Sequence, residues 1–147
     1  MTPSILIAQP SHLEGIHSLT AEWGHSASLE QTKFWLNAIT DSDHHTMFVA
    51  KHEGEVRGWI VVEKRIFLDA GHKGEITALV VSQKARRTGI GKLLLAAAEQ
   101  WTEELGLSHL VVRSNIARTE SHAFYTMTGF EFKKTAHNYE KAIFTFL

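Results

Sequence analysis

The residues best suited to chemistry in this 147-residue chain are three cations and two glycines that follow one another closely. They lie in the segment Arg86-Arg87-Thr88-Gly89-Ile90-Gly91-Lys92. A glycine has no Cβ, so its backbone can approach a bulky anion closely. Basic side chains around such a turn add favourable charge. The segment therefore predicts an anion-binding turn, and a phosphate group suits it.

Two regular elements flank this turn and would hold it in place. Residues 75–81 read as a strand that is apolar on both faces, which is typical of a strand covered on both sides. Ile76, Ala78 and Val80 are expected on one face, and Thr77, Leu79 and Val81 on the other. Behind the turn, Leu94, Ala97, Ala98, Trp101 and Leu105 recur at helical spacing up to Gly106. The free N–H groups of the first helical turn favour an anion. A solvated basic loop leading into a helix is the alternative.

Composition excludes several classes of protein. The length of 147 residues suits one domain, predicted to span 1–147, and the absence of cysteine excludes disulfides and a thiol nucleophile. No apolar run approaches the ~20 residues of a membrane-spanning helix. Residues 1–9 lack the basic start and apolar core of a secretory signal. We therefore expect a cytoplasmic protein with no membrane contact.

The rest of the chain predicts further helices and strands. A first strand is expected at residues 5–8, and a helix follows with Ser11 as N-cap and Glu14 completing a capping box. A second helix starts near Ser28. A hairpin joins residues 46–52 to 55–64, a loop covers 69–74, and a parallel strand covers 109–113. A short helix at 121–128 precedes two closing strands at 130–132 and 137–146. The buried positions of the second helix are predicted to be Leu29, Phe34, Trp35 and Ile39.

Three features between the second helix and the turn have two interpretations each. Gly58, inside the second hairpin strand, marks either a bulge or a close approach. Trp59 either packs in the core, which is favoured, or lines a substrate pocket. Residues 41–45 carry two aspartates and two histidines, but a polar turn explains them better than a metal site, because no second set of ligands accompanies them. We expect no metal.

The segment Arg86-x-x-Gly89-x-Gly91 resembles the signature of the GNAT family of N-acetyltransferases, and it stands after a strand and before a helix as that signature does. Three further features fit the resemblance: Glu75 on the preceding strand, Asn115 after the next strand, and Ala123-Phe124-Tyr125 followed by Gly129-Phe130. The resemblance covers residues 46–147. It implies an α/β fold with a mixed, mostly antiparallel central sheet. In that sheet one parallel strand pair splays apart, and about four helices flank it.

The resemblance also implies an activity and a set of site residues. It implies direct transfer of an acetyl group from acetyl-CoA to a primary amine, with the Leu79 N–H polarising the thioester carbonyl. Glu75 would accept the proton of the amine, directly or through water, and Tyr125 would protonate the leaving thiolate. Asn115 matches a position that contacts the pantetheine arm. The residues expected to bind acetyl-CoA are Leu79, Val80, Val81, Arg86, Arg87, Thr88, Gly89, Ile90, Gly91, Lys92 and Asn115.

The acceptor and the assembly stay open at this stage. A minimal domain favours a small-molecule amine over a peptide or protein amine, and a CoA-binding regulatory module without turnover is a second class. A different nucleotide binder is disfavoured because the turn lacks a Gly-Lys-(Ser/Thr) ending. The chain is expected to be a monomer or a homodimer.

The net charge of −1 argues against a nucleic-acid partner. Residues 1–70 carry nine acidic and five basic side chains (−4), and residues 71–147 carry seven and ten (+3). A basic half around a phosphate-rich cofactor and an acidic half offered to a cationic acceptor would give this distribution, and so would chance.

Overall fold

The computed structural model describes residues 2–85, 87–114 and 119–144. The strands are β1 (Ser4–Ile7), β2 (His45–His52), β3 (Glu55–Phe67), β4 (Gly71–Val81) and β5 (Leu110–Val112). The helices are α1 (Leu13–Glu22), α2 (Leu29–Thr40), α3 (Ile90–Glu104) and α4 (Thr119–Met127). None of the described helices is long and apolar enough to cross a membrane. The chain divides into two compact units, Met1–Arg113 and Ser114–Leu147. The single-domain organisation stays a prediction.

The first unit is built on a five-stranded mixed sheet with the order β1-β2-β3-β4-β5. Neighbouring strands are antiparallel except β4 and β5, which are parallel. Helix α3 packs on one face, where a Cβ at Gly58 would lie 2.9 Å from Cγ2 of Ile90. Helices α1 and α2 pack on the other face, where Ile16 and Leu36 join Val61 in one core cluster. The predicted fold class is confirmed.

The predicted alternation of faces along β4 is wrong, because a β-bulge interrupts it. Val61 pairs with Ala78 but Val62 pairs with Ile76, so Thr77 is an extra residue on β4. Cross-strand partners share a face of the sheet. Ile76 therefore lies on the α3 face, opposite to Ala78 and Val80. The same bulge places the side chain of Glu75 on the α1–α2 face, together with Ala78 and Val80.

The start of α1 differs from the prediction that Ser11 caps it. A short 3₁₀ turn, Pro10–His12, precedes α1, and the capping box joins Gln9 to His12. The Gln9 N–H donates to Nδ1 of His12 at 3.0 Å. Pro10 has no backbone N–H that needs a partner, so it suits the first position of this turn. The turn therefore starts before Ser11, and Gln9 is its N-cap.

The start of α2 is as predicted, but its buried face is not. Ser28 caps the helix and accepts from the Gln31 N–H at 3.1 Å. Phe34 and Trp35 are 72% and 52% exposed, whereas Thr32 and Leu36 are buried. Thr32 tolerates burial because its hydroxyl donates to the Ser28 carbonyl at 2.9 Å. Leu29 is also exposed, and Ile39 packs partly buried against the core.

The antiparallel strands β2, β3 and β4 are joined by two tight hairpins. The hairpin turn at Glu53 and Gly54 is confirmed. The predicted loop at 69–74 is largely wrong, since β3 runs to Phe67 and β4 begins at Gly71. Both interpretations of Gly58 hold, because the register of β2 and β3 shifts next to it and α3 packs closely above it.

The second unit contains α4, which ends before Gly129 at a φ of 98°. The two predicted closing strands are wrong for the described residues 130–144, which form no strand. A strand needs a neighbouring backbone to complete its hydrogen bonds, and residues 131–144 are all exposed. The remainder of that prediction, residues 145–146, lies outside the described part of the chain.

Candidate functional site

Among the described residues, nothing pairs with the last residues of β4 along the edge that faces β5. The β4–β5 pairing ends at Ile76 and Val112, whereas β4 continues to Val81. The Ser82 N–H donates to the Arg57 carbonyl at 2.8 Å, so Ser82 directs its main-chain groups toward β3. Because main-chain groups alternate along a strand, those of Leu79 and Val81 point away from β3 and into the gap. This agrees with the splayed parallel strand pair that the resemblance implied.

Helix α1 closes the end of this open edge. The indole N–H of Trp23 donates to the Val81 carbonyl at 3.0 Å. One residue earlier, the Glu22 carboxylate accepts from the Gln83 N–H at 2.8 Å and from the Ser82 hydroxyl at 3.3 Å. The N–H groups of Leu79 and Val81 have no hydrogen-bond partner among the described residues. Two main-chain donors therefore line the gap.

The glycine-containing turn presents a second set of backbone donors. Gly89 is the N-cap of α3 with a φ of 82°, and nothing lies within 4 Å of a Cβ built on it. Arg87 also adopts a left-handed conformation, with a φ of 66°. Such backbone strain in a non-glycine residue is commonly found at functional turns. Within the described residues no side chain caps α3, so its first-turn N–H groups are free for an anion.

The side chains of this turn differ in exposure, and two of the residues assigned to the site are not described. Arg87 and Lys92 are exposed beside the N-terminus of α3. Arg86, the first residue of the signature, lies outside the described residues, and so does Asn115. Thr88 is held against the preceding turn by its hydroxyl, which donates to the Ala85 carbonyl. Ile90 is buried and fixes the start of the helix.

Glu75 is buried in a cluster of charged side chains. It is 8% exposed, and its Oε1 accepts from Nη1 of Arg65 at 3.0 Å. Arg113, directly after β5, approaches the same oxygen, with Nη2 at 4.0 Å. Arg65 also pairs with Glu63, the residue opposite Glu75 on β3, at 3.3 Å. The guanidinium thus relieves the repulsion of two facing carboxylates. Oε2 of Glu75 has no partner among the described residues.

Tyr125 lies in the second unit, on α4. Its ring packs edge-on against Phe124 and Phe130, with centroid distances of 5.3 Å and 5.5 Å. The Phe130 N–H donates to the Tyr125 carbonyl at 3.0 Å, which ties the chain after Gly129 back to the helix. The local packing of the predicted motif is therefore well defined, and the catalytic role of Tyr125 stays a prediction.

Sequence reasoning missed the groups that organise the site. Trp23 and Val81 are 58 positions apart, and Arg65 and Glu75 are ten apart on two strands. No periodicity links such pairs, because only the folded sheet brings them together. The run of charged residues Glu63-Lys64-Arg65 was the one available signal. Among the described residues no three potential metal ligands lie together.

Comparison with known proteins identifies the family. A profile of the acetyltransferase (GNAT) family matches residues 12–130. The chain is 30% identical over 94 residues to the uncharacterized N-acetyltransferase YhdJ of Bacillus subtilis, a match covering 62% of this chain and 64% of that protein. It is 32% identical over 111 residues to the aminoalkylphosphonate N-acetyltransferase of Salmonella typhimurium, covering 75% of this chain and 70% of that protein.

Two longer matches agree with this. The aminoglycoside N(6')-acetyltransferase type 1 of Serratia marcescens is 27% identical over 145 residues, covering 95% of this chain and 99% of that protein. The solved structure of AAC(6')-Iy with a bisubstrate analogue superimposes with a TM-score of 0.87 at 21% identity, over 97% of this chain and 99% of that one. The latter likeness establishes the fold. The chain therefore belongs to the GNAT family of acetyltransferases.

Proposed function

We propose that this protein moves an acetyl group directly from acetyl-CoA to the primary amine of a small molecule. The observation that carries the proposal is the edge of β4, where the N–H groups of Leu79 and Val81 have no partner among the described residues. This edge leads toward the start of α3, which no described side chain caps. An extended acyl-pantetheine chain has the shape and the carbonyl acceptors that such an edge needs. Its pyrophosphate has the charge that the turn needs.

The main chain of β4 and the turn after it would bind acetyl-CoA. Leu79 and Val81 supply N–H donors to the pantetheine arm, whereas the main-chain groups of Val80 point toward β3, so its contact would come from the side chain. Thr88, Gly89, Ile90, Gly91 and Lys92 surround the pyrophosphate with backbone donors and one ammonium. We assign Arg86 and Asn115 to the same task from the sequence signature, and Arg87 from its place in the turn.

The chemistry assigns a role to each remaining group. Acetyl-CoA supplies the activated acyl group, and the Leu79 N–H stabilises negative charge on the acyl oxygen because a fixed donor needs no reorganisation. Glu75 accepts the proton of the attacking ammonium through water at Oε2, since arginines occupy the side of Oε1. Tyr125 gives a proton to the departing thiolate. The protein otherwise contributes the relative placement of the two substrates.

The nature of the acceptor is proposed from the relatives. The names of two matched proteins specify aminoalkylphosphonates and aminoglycosides, which are small molecules with primary amines. Glu75 lies on the α1–α2 face of the sheet and is 8% exposed, so the amine would reach its carboxylate through a water relay.

The test is calorimetric titration of the protein with acetyl-CoA and with CoA. The Arg87→Glu/Gly89→Asp variant opposes the phosphates with charge and bulk, and we expect it to abolish binding. Gly106→Asp is the matched control, because Gly106 has a φ of 73° and open space around its Cβ position, at the other end of α3. It introduces the same residue with the same backbone strain and should leave the affinity unchanged.

A second assay follows binding. Release of the CoA thiol is measured over a panel of amines that includes aminoalkylphosphonates, aminoglycosides, polyamines and a lysine-containing peptide. Turnover with one or more of the small amines and none with the peptide supports the proposal. Absence of acetyl-CoA binding by the folded wild type would refute it.

A further inference from the structure

A cleft of about 420 Å³ lies on the first unit, beside the end of β4. Its walls come from α1 and the 3₁₀ turn before it, from the β2–β3 hairpin around Gly54, and from the segment after β4. None of the described residues that we assign to acetyl-CoA lines it. The proposed acetyl transfer therefore leaves this cleft unused.

His12 lies at the wall of this cleft with one ring nitrogen unused. The residue is 7% exposed, and its Nδ1 accepts from the Gln9 N–H at 3.0 Å. That bond fixes the proton of the neutral ring on Nε2. Nε2 has no partner among the described residues, yet it is not one of the side-chain atoms sealed from solvent. A buried imidazole thus offers one N–H donor to the cleft.

The charge of His12 agrees with a donor role. Burial, and the positive charge of Lys51, lower the pKa of His12 from its usual 6.5. At neutral pH the ring is therefore an uncharged donor beside an ammonium group. Lys51 forms no ion pair among the described residues, and neither does Lys84 on the opposite wall. Arg57, the remaining cation of the cleft, is paired with Glu55.

The formal charges of the cleft balance, because Glu14, Glu22 and Glu55 stand against Lys51, Arg57 and Lys84. Glu22 is occupied by the Gln83 N–H and the Ser82 hydroxyl. Glu55 is occupied by Arg57, which leaves Glu14 as the one lining carboxylate with no described partner. The preference for an anion is therefore local, because the His12 ring lies near the charge of Lys51, which has no ion-pair partner among the described residues.

We propose that this cleft binds the oxyanion group of a small molecule, a phosphate or a carboxylate, through Nε2–H of His12 and Nζ of Lys51. A charge-assisted hydrogen bond from the ammonium and a neutral one from the imidazole hold the anion, and the lack of solvent around His12 strengthens both. The proposal does not rest on acetyl transfer. A molecule with an additional amino group would also satisfy Glu14.

The test uses nuclear magnetic resonance of the histidine side chains in the ¹⁵N-labelled protein at pH 7.5. The chain has ten histidines, and the signal of His12 is assigned by its absence from the His12→Gln variant. Inorganic phosphate and acetate are titrated separately at constant ionic strength. We expect a saturable shift of the His12 signal, and the anion with the lower Kd identifies the phosphate or the carboxylate as the preferred group.

Two lysine variants decide the interpretation. Lys51→Met should raise the Kd about tenfold or more, because it removes one charge-assisted hydrogen bond. Lys33→Met is the matched control, since Lys33 is an exposed lysine on α2 that does not line the cleft, and it should change the Kd less than about twofold. A shift that does not saturate, or that sodium chloride reproduces, overturns the proposal. So does a Kd that Lys51→Met leaves unchanged.

A phosphate titration of the turn variant keeps this test separate from that of the proposed function. The same phosphate titration is repeated in Arg87→Glu/Gly89→Asp, where the anion-binding turn is impaired. An unchanged His12 response there supports a distinct cleft site, whether or not the wild type binds acetyl-CoA. Loss of the His12 response in that variant would show that the signal reports the turn, and would refute the cleft site.

Discussion

Replacing Gly58 by alanine tests how β3 positions the start of α3. A Cβ at Gly58 would lie 2.9 Å from Cγ2 of Ile90, 3.0 Å from Cδ1 of Leu94 and 3.1 Å from the Val80 carbonyl oxygen. Both side chains are buried, and the carbonyl is fixed in the sheet, so none can move without disturbing the core. Overpacking of this kind costs about 1–3 kcal/mol.

The free energy of unfolding is measured by urea denaturation followed by circular dichroism. We expect Gly58→Ala to lower the midpoint without changing the m-value. A loss of 2 kcal/mol corresponds to about 4–8 °C in Tm for a chain of this size. Because Ile90 begins α3, whose first turn we propose binds the pyrophosphate, the affinity for acetyl-CoA should fall in parallel.

Gly24 provides the control for backbone effects. Its φ is 88° and nothing lies within 4 Å of a Cβ built on it, so Gly24→Ala costs only the left-handed strain of about 1 kcal/mol. Serine should then cost about the same as alanine at Gly24 but more than alanine at Gly58. A Gly58→Ala variant as stable as the wild type, or equal costs for Gly58→Ala and Gly58→Ser, would refute the close approach of α3.

Three further predictions concern the cap, the base and the buried imidazole. Ser28→Ala should cost about 0.5–2 kcal/mol in the same urea assay, because it removes the N-cap of α2, and an undiminished stability would contradict the cap. Glu75→Gln should lower kcat by about a hundredfold in the thiol-release assay. Glu63→Gln, which changes the residue opposite Glu75 on β3, should retain activity. Equal losses of kcat in the two variants would indicate that Glu75 has a structural role. His12 has a pKa below that of the unfolded chain, so the unfolded state binds more protons and stability falls as the pH drops below 6.5. His12→Gln keeps a capping acceptor and should weaken that dependence, and an unchanged pH profile would count against it.

The parts of the fold that the sequence predicted depend on short-range chemistry. Ser28 begins α2, and Gly24, Gly106 and Gly129 each follow a helix end with a positive φ. The anion-binding turn belongs to the same class, because its glycines and the following helix start are neighbours in sequence. Such features are decided by a few adjacent residues, so composition and spacing predict them.

The buried face of α2 could not be predicted from the sequence alone. Two stripes compete on this helix, one through Phe34 and Trp35 and one through Thr32 and Leu36, and only their fit to the sheet separates them. The aromatic stripe is the more hydrophobic, yet it is exposed. Thr32 occupies the core side because it satisfies its hydroxyl within its own helix. Intrinsic hydrophobicity was therefore a poor guide where hydrogen bonding made a polar residue acceptable.

The bulge at Thr77 shows why the site could be assembled only in part from the sequence. A period of two places Glu75 on the face of Leu79 and Val81, which is the α3 face in the folded sheet. The extra residue reverses this and directs the carboxylate to the α1–α2 face, where Arg65 reaches it. The bulge does not affect the N–H donors of Leu79 and Val81, because both residues follow it and their main-chain groups still alternate in direction along β4. One strand thus presents main-chain donors along its edge and an anchored carboxylate on its α1–α2 face, and this combination depends on a single inserted residue whose position is decided by pairing with β3.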